Sequence, residues 1–306
     1  MVSIALTTYN GAKYLREQLD SILLQTIQDF EVVVCDDRSC DSTWCILEEY
    51  ARKDSRFKIH RNEKNLGFLR NFERAISLCT GDYIALCDQD DIWLNNHVQI
   101  LLEHISDYTL CGANALLVDG DNKDLNITLL DTLGVDYLPQ NQEDFEFFLF
   151  HSNVFQGAAL LFKKELISRA LPFPKNVEFH DHWLALVACS MNGINYVNVP
   201  ILRYRQHGMN VTDNKKFSLF SKITGALTNK QKRIGIKKNR ESMKNILLSY
   251  KDRCGTSVAD SAIAYFDNLI NHRIGQTCRY FIKNKNKLLL SKRINVFFAR
   301  FIKLFY

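Results

Sequence analysis

The chain has 306 residues, of which 46% are hydrophobic and 24% charged, a composition that suits a folded protein with one large domain or two smaller ones. No apolar run reaches the roughly 18 residues of a membrane-spanning helix, and nine scattered cysteines without a C-x-x-C pair exclude a zinc cluster or a disulfide framework. The net charge of +5 hides an asymmetry: residues 1–214 carry 18 Lys+Arg against 30 Asp+Glu, and residues 215–306 carry 21 against 4.

Residues 2–8 (VSIALTT) read as a first strand rather than a signal peptide, ending at the turn Tyr9-Asn10-Gly11. Leu15, Leu19, Ile22 and Leu23 fall at helical spacing, and 30–35 (FEVVVC) form a second strand stopped by Asp36-Asp37-Arg38-Ser39. A helix over 43–52 and a short strand over 57–60 come next. After Asn65-Leu66-Gly67, the apolar positions of 68–79 lie on one helical face, and 83–87 make a fourth strand. Further on, the pattern predicts a helix over 94–105, a strand over 109–118 and a polar insert over 119–146. A buried strand over 154–162, a helix opening at His180-Asp181-His182-Trp183 and a strand over 194–205 complete this part. Beyond 215 the chain turns basic and helical.

Strands alternating with helices of this length imply βαβ crossovers and an α/β fold with a mostly parallel central sheet. Ligands of such sheets bind beyond the strand C-terminal ends, which gathers Thr8-Tyr9-Asn10, Asp36-Asp37 and Asp88-Gln89-Asp90-Asp91 on one edge. Cys35, Cys79, Cys87 and Cys189 sit inside apolar runs as small hydrophobes, which implies reduced thiols and a cytoplasmic setting.

Three carboxylates within LCDQDDIW repel one another unless a cation intervenes. Strand-terminal carboxylates one residue apart suit a hard divalent ion, Mg2+ or Mn2+, bridging to phosphate oxygens. An EF-hand loop fails, because its sixth and twelfth positions counted from Asp88 are Trp93 and Gln99. A phosphohydrolase with Asp88 as nucleophile is a competitor, and Asp91 alone is a candidate helix cap.

The blocks IALTTYNGAKYLREQLDSILLQT, VVVCDDRSCDST, NLGFLRNFERAI and GDYIALCDQDDIW, in this order, resemble a family 2 glycosyltransferase of the GT-A fold. HDHW and YRQHG extend the likeness to about residue 212, and this form is similar to bacterial rhamnosyltransferases that build surface polysaccharides. The resemblance implies a catalytic domain over 1–214, with a basic helical extension over 215–306. It implies a donor-nucleotide site of Thr8, Tyr9, Asn10, Asp36, Asp37, Asn65, Gly67, Asp88 and Gln89. Tyr9 is then either a stacking partner for a base or an ordinary core aromatic. Asp37 matches the carboxylate that meets the pyrimidine N–H, while Asp36, Ser39 and Asp41 also suit a polar turn.

By the same likeness, Asp88, Asp90 and His207 are the metal set for Mn2+ or Mg2+. Asp181 is the catalytic base of an inverting transfer, or else a helix cap. Gln156, Gly157, His180, Trp183 and Arg205 fall near the acceptor or phosphate. The donor implied is dTDP-L-rhamnose, with a UDP-hexose as the alternative and a non-catalytic scaffold as a reading from another class. The acceptor implied is a saccharide on a polyprenyl lipid. The basic C-terminal region, with its aromatic clusters, fits the inner membrane surface better than nucleic acid, whose recognition motifs are missing.

Overall fold

A computed structural model describes residues 1–207, 230–291, 301 and 304 of the chain. Gly208 and Asn210 of the YRQHG region, and the terminal aromatics Phe297, Phe298, Phe305 and Tyr306, lie outside the described residues.

The first half follows the alternation read in the sequence. β1 (Val2–Thr8), α1 (Leu15–Leu23), β2 (Phe30–Asp36), α2 (Thr43–Lys53), β3 (Phe57–Arg61), α3 (Phe68–Leu78) and β4 (Tyr83–Cys87) succeed one another. Every residue of β1 and β2 is buried, as near-continuous apolar runs are in a parallel sheet covered on both faces. β3, β2, β1 and β4 pair in parallel in that order. The register sets Thr8 opposite Asp36 and Leu6 opposite Cys87, so the segments leaving β1, β2 and β4 emerge together. α3 buries Phe72, Ala75 and Ile76 against β1 and β2. One polar group inside this region is well supplied: Glu31 accepts from Ser3, Thr80 and Lys58. Burial works against its charge, yet these bonds hold its carboxyl down at about 2.

Beyond β4 the sheet turns mixed. β5 (Ile92–Trp93), α4 (His97–Ile105), β6 (Leu110–Asp119) and β7 (Asp124–Thr128) lead to β8 (Leu160–Lys163), α7 (Leu166–Ala170), α8 (His180–Cys189) and β9 (Ile194–Gln206). β8 runs antiparallel to β4 and β6, β9 runs parallel to β6, and β5 closes that edge antiparallel to β9. Pro200 falls inside β9 where the register against β6 shifts, which is where a residue without an N–H is tolerated. The strand expected over 154–162 is shorter, because 157–159 form a 3-10 turn and only Leu160 onward pairs. Asp91 caps no helix: β5 follows it, and α4 starts at His97 behind Asn96.

The chain divides into two compact units. Among the described residues, the first takes 1–129, 155–173 and 179–207, and holds the whole sheet. The second takes 130–154, 174–178, 230–291, 301 and 304, so most of the polar insert packs outside the first unit. It contains α6 (Gln142–Leu149), most of α5 (Leu129–Leu133), α9 (Lys230–Cys254), α10 (Asp260–Ile270) and α11 (Ile274–Leu288). Its core joins Leu247, Tyr250, Phe266 and Phe281, and Lys244–Asp267 and Lys251–Asp260 pair at 2.6 and 2.7 Å between α9 and α10. No helix among the described residues is long and apolar enough to cross a membrane.

Candidate functional site

A cavity of 410 Å³ opens in the first unit, beyond the ends of the parallel strands. Thr7, Thr8, Tyr9, Asp37, Asp88, Gln89 and Asp90 come to it from β1, β2 and β4. Asn65, Gly67, Phe68 and Asn71 come from the start of α3, and Gln156, Gly157, Phe179, His180, Asp181 and Tyr204 complete the lining.

The segment after β2 separates two neighbouring acids. Asp36 is fully buried, accepts from Thr8 Oγ1 at 3.0 Å and Ser39 N at 3.0 Å, and does not line the cavity. Its bonds close the polar turn, so it stands behind the cavity and not on its wall. Asp37 does line the cavity. Its carboxylate accepts from Leu66 N at 2.7 Å, Gly67 N at 2.8 Å and Asn62 Nδ2 at 2.7 Å, so it also shapes the loop that enters α3. Gly67 sits there at φ +82, the left-handed region that a residue with a Cβ enters at a cost.

Tyr9 is half exposed on the cavity, so it is no core aromatic. Asn10 turns away, bonding Cys40 N through its side chain and Ser39 Oγ through its backbone, because its φ of +49 directs it to that loop. It too does not line the cavity. Gln89 lines the cavity, but its amide is engaged twice by the Tyr9 backbone, at 2.8 and 3.0 Å. A Cβ at Gly11 would stand 2.0 Å from Gln89 Oε1, so a side chain there would push Gln89 off the Tyr9 backbone.

The acids of LCDQDDIW part company. Asp91 is fully buried and its Oδ1 accepts Arg205 N at 3.0 Å. Burial, followed by the charges of Asp90 and Asp88, pushes its carboxyl well above the usual range. Asp88 and Asp90 face the cavity, where burial and then Asp90 and Asp181 push the Asp88 carboxyl up to about 8.

Arg205 is 1% exposed and bonds Asp90 O at 2.9 Å, Gly120 O at 3.0 Å and Glu17 at 2.9 Å, with its guanidinium 4.5 Å from the Tyr14 ring centre. These engagements make it a clamp on the Asp90 turn, and it does not line the cavity. Trp183 is likewise buried and donates to Ala170 O at 2.9 Å, away from the cavity. His207 stacks on Tyr14 and its Nε2 meets Asp90 Oδ2 at 2.8 Å.

Asp181 lies in the first turn of α8, one oxygen accepting His182 N at 2.6 Å. Phe179 holds the cap position, so Asp181 is not the cap, and the helix dipole favours a carboxylate where it stands. Two carboxylates on a cavity wall suit a hard divalent cation whose remaining ligands come from substrate phosphates. The raised Asp88 carboxyl marks a place that a cation would relieve. Asp88 and Asp90 therefore fit such an ion. His207, the expected third ligand, meets Asp90, although no group of three His, Cys, Asp or Glu among the described residues is arranged to hold a metal.

Phe68, Asn71, Phe179 and Tyr204 line the cavity without having been singled out in the sequence. For Asn71 a signal existed, since it is a polar residue on the buried face of α3. The others look like ordinary core aromatics until the chain is folded.

A sequence profile described as "Glycosyl transferase family 2" matches residues 3–168. A Bacillus subtilis (strain 168) protein named "Putative glycosyltransferase EpsH" is 29% identical over 236 residues, 72% of this chain and 64% of that protein. The "Glycosyltransferase GlyG" of Streptococcus pneumoniae serotype 4 is 31% identical over 107 residues, 35% of this chain and 36% of that protein. The matches thus span less than two thirds of these relatives' own length. Among solved structures, S. aureus TarS 1–349 in complex with UDP-GlcNAc superposes with a TM-score of 0.59 at 17% identity, over 100% of this chain and 81% of that one.

Proposed function

The chain belongs to glycosyl transferase family 2, and on that footing we propose that it moves a sugar from a nucleoside-diphosphate donor to a saccharide hydroxyl with inversion. The observation that carries this reading is the convergence of Asp37, Asp88, Asp90 and Asp181 on one cavity from three separate segments. TarS, which shares the fold, binds UDP-GlcNAc. Family membership removes the phosphohydrolase alternative, and four acids on one cavity argue against a scaffold.

Asp37 and the Asn65–Gly67 loop receive the base, with half-exposed Tyr9 offering a ring face. Asp88 and Asp90 would hold Mn2+ or Mg2+. When bound, the metal neutralises charge that builds on the departing diphosphate, so the leaving group needs no proton. Gln89 keeps the β1 and β4 ends in register through the Tyr9 backbone, and Arg205 holds the Asp90 turn. Asp181 takes the proton from the acceptor hydroxyl as that oxygen attacks the anomeric carbon opposite the diphosphate.

The finer reading is L-rhamnose from dTDP-L-rhamnose, supported by the HDHW and YRQHG forms; a UDP-hexose is the alternative. The acceptor is a lipid-linked saccharide in surface polysaccharide synthesis. In the second unit, exposed Arg279, Lys283 and Lys285 accompany half-exposed Ile282 on α11, a combination suited to an anionic lipid surface. On this reading the enzyme works at the inner face of the cell membrane.

Thermal-shift titration with UDP, dTDP and their sugars, with and without Mn2+, tests the donor reading. At least one should raise the melting temperature in a metal-dependent way; no shift under any condition would refute it. Vesicles containing anionic lipid should bind the full chain at low salt, and equal binding to zwitterionic vesicles would reject the membrane reading.

A further inference from the structure

His180 stands on the cavity wall beside the proposed base, yet it is 3% exposed and neither ring nitrogen has a hydrogen-bond partner among the described residues. Buried polar groups in folded proteins are almost always paired, and one left alone costs free energy. Its ring is held rigidly: Phe72 stacks on it at 4.2 Å between centroids and Phe68 tilts against it at 5.1 Å. Gly157 packs against the Nε2 edge of the ring, where a Cβ would stand 2.6 Å from that nitrogen. The fold thus spends an aromatic cage and a glycine on presenting an imidazole with no partner of its own.

A proton acceptor is a poor description of this group, since burial pushes its pKa down to about 3 and it stays neutral at physiological pH. A metal ligand fits no better, because no three-residue metal cluster forms among the described residues. A neutral imidazole offers one N–H donor and one lone-pair acceptor on different edges of a plane. A sugar hydroxyl, both donor and acceptor, complements either of them. Position agrees with chemistry. If Asp88 and Asp90 mark the diphosphate and Asp181 the opposite face of the anomeric carbon, the donor sugar lies between them. Gln156, Gly157 and His180 line the cavity beside Asp181.

We propose that His180 is a sugar-reading residue, exchanging hydrogen bonds with hydroxyls of the donor hexose and so selecting which nucleotide sugar is used. This rests on the glycosyltransferase reading. A site built to pair a substrate hydroxyl rejects sugars that cannot present it, because its buried polar atoms are then left alone.

Calorimetric titration of the full chain with Mn2+ tests the proposal, using UDP, dTDP, UDP-glucose, UDP-galactose, UDP-N-acetylglucosamine and dTDP-L-rhamnose. For the tightest-binding sugar, His180→Phe should lower its affinity at least 10-fold, about 1.4 kcal/mol, while the matching diphosphate binds within threefold of wild type. His180→Asn places an amide near Nδ1 and His180→Gln places one near Nε2, so one of them should recover most of the loss. Circular dichroism checks that each variant folds, and the two smaller amide variants decide the matter if His180→Phe does not. Equal loss for sugar and diphosphate, no loss, or a wild type that binds diphosphates but none of the four sugars overturns the proposal. A wild type that binds no diphosphate at all overturns the transferase reading beneath it.

Discussion

Replacing Asp88 with Asn should stabilise the metal-free protein while damaging its use of the donor. An ordinary Asp carboxyl has a pKa of 3.8, and that of Asp88 is pushed up to about 8 by burial, then by Asp90 and Asp181. Taken whole, the gap corresponds to roughly 5–6 kcal/mol, at about 1.4 kcal/mol per tenfold. Asp88 is only partly covered where it meets the cleft, so water and salt reduce this to about 2 kcal/mol. Between these two pKa values the folded chain keeps a proton that the unfolded chain has released. Wild-type stability therefore falls as pH rises from about 4 to about 8 and levels off above. Asn carries no such proton. Urea unfolding in a chelator should show Asp88→Asn more stable by about 2 kcal/mol at pH 8, with the gain fading toward pH 4. With Mn2+ and a nucleoside diphosphate present, the order should reverse, because only the wild type gains a cation contact at this position. A variant no more stable at pH 8, or a gain that is independent of pH, would refute the electrostatic account of this site.

Asp181→Asn should lower kcat by roughly 10²–10⁴-fold, the span of general base catalysis, with donor affinity within threefold. Equal loss of binding would count against a base. Arg205→Leu removes a buried guanidinium that bonds Asp90 O, Gly120 O and Glu17. It should cost about 3–5 kcal/mol in urea unfolding and weaken diphosphate binding, while a cost below about 1 kcal/mol would show the clamp to be idle. Glu31→Gln should cost about 2 kcal/mol at pH 7, since the Lys58, Ser3 and Thr80 bonds outweigh burial and hold Glu31 at about 2. That difference is present above about pH 4.5 and should be lost as pH falls through about 2; a gap that persists there would place the effect in packing instead.

Much of the first unit was readable in advance. The apolar runs of β1 and β2 and the helical spacing of α3 have no other good use than a covered parallel sheet, and the sheet rule then brings Thr8, Asp37 and Asp88 to one edge. The mixed half was less legible. β5 has two residues and β8 four, too short for a period to register, and their pairing with β9 and β4 is a long-range matter. The span 119–146 read as polar insert because β7 is exposed and the helices after it bury their apolar residues within the second unit.

By itself the sequence determined the chemistry available: which strand ends carry acids, that Asp181 opens a helix, and that the C-terminal third is basic. Tertiary structure alone decided how each polar group is used. Asp36 and Asp37 are neighbours of the same type, but one closes a turn and the other faces the cavity. Asp91 is buried and anchored to the Arg205 backbone, while Asp88 and Asp90 face the ligand space. Arg205, Asn10 and Trp183 look free to bind something until their partners arrive from distant segments. The reason is physical: a polar side chain acts on a ligand only with capacity its own fold leaves unused. That remainder depends on burial and on partners up to 188 positions away, as for Arg205 and Glu17.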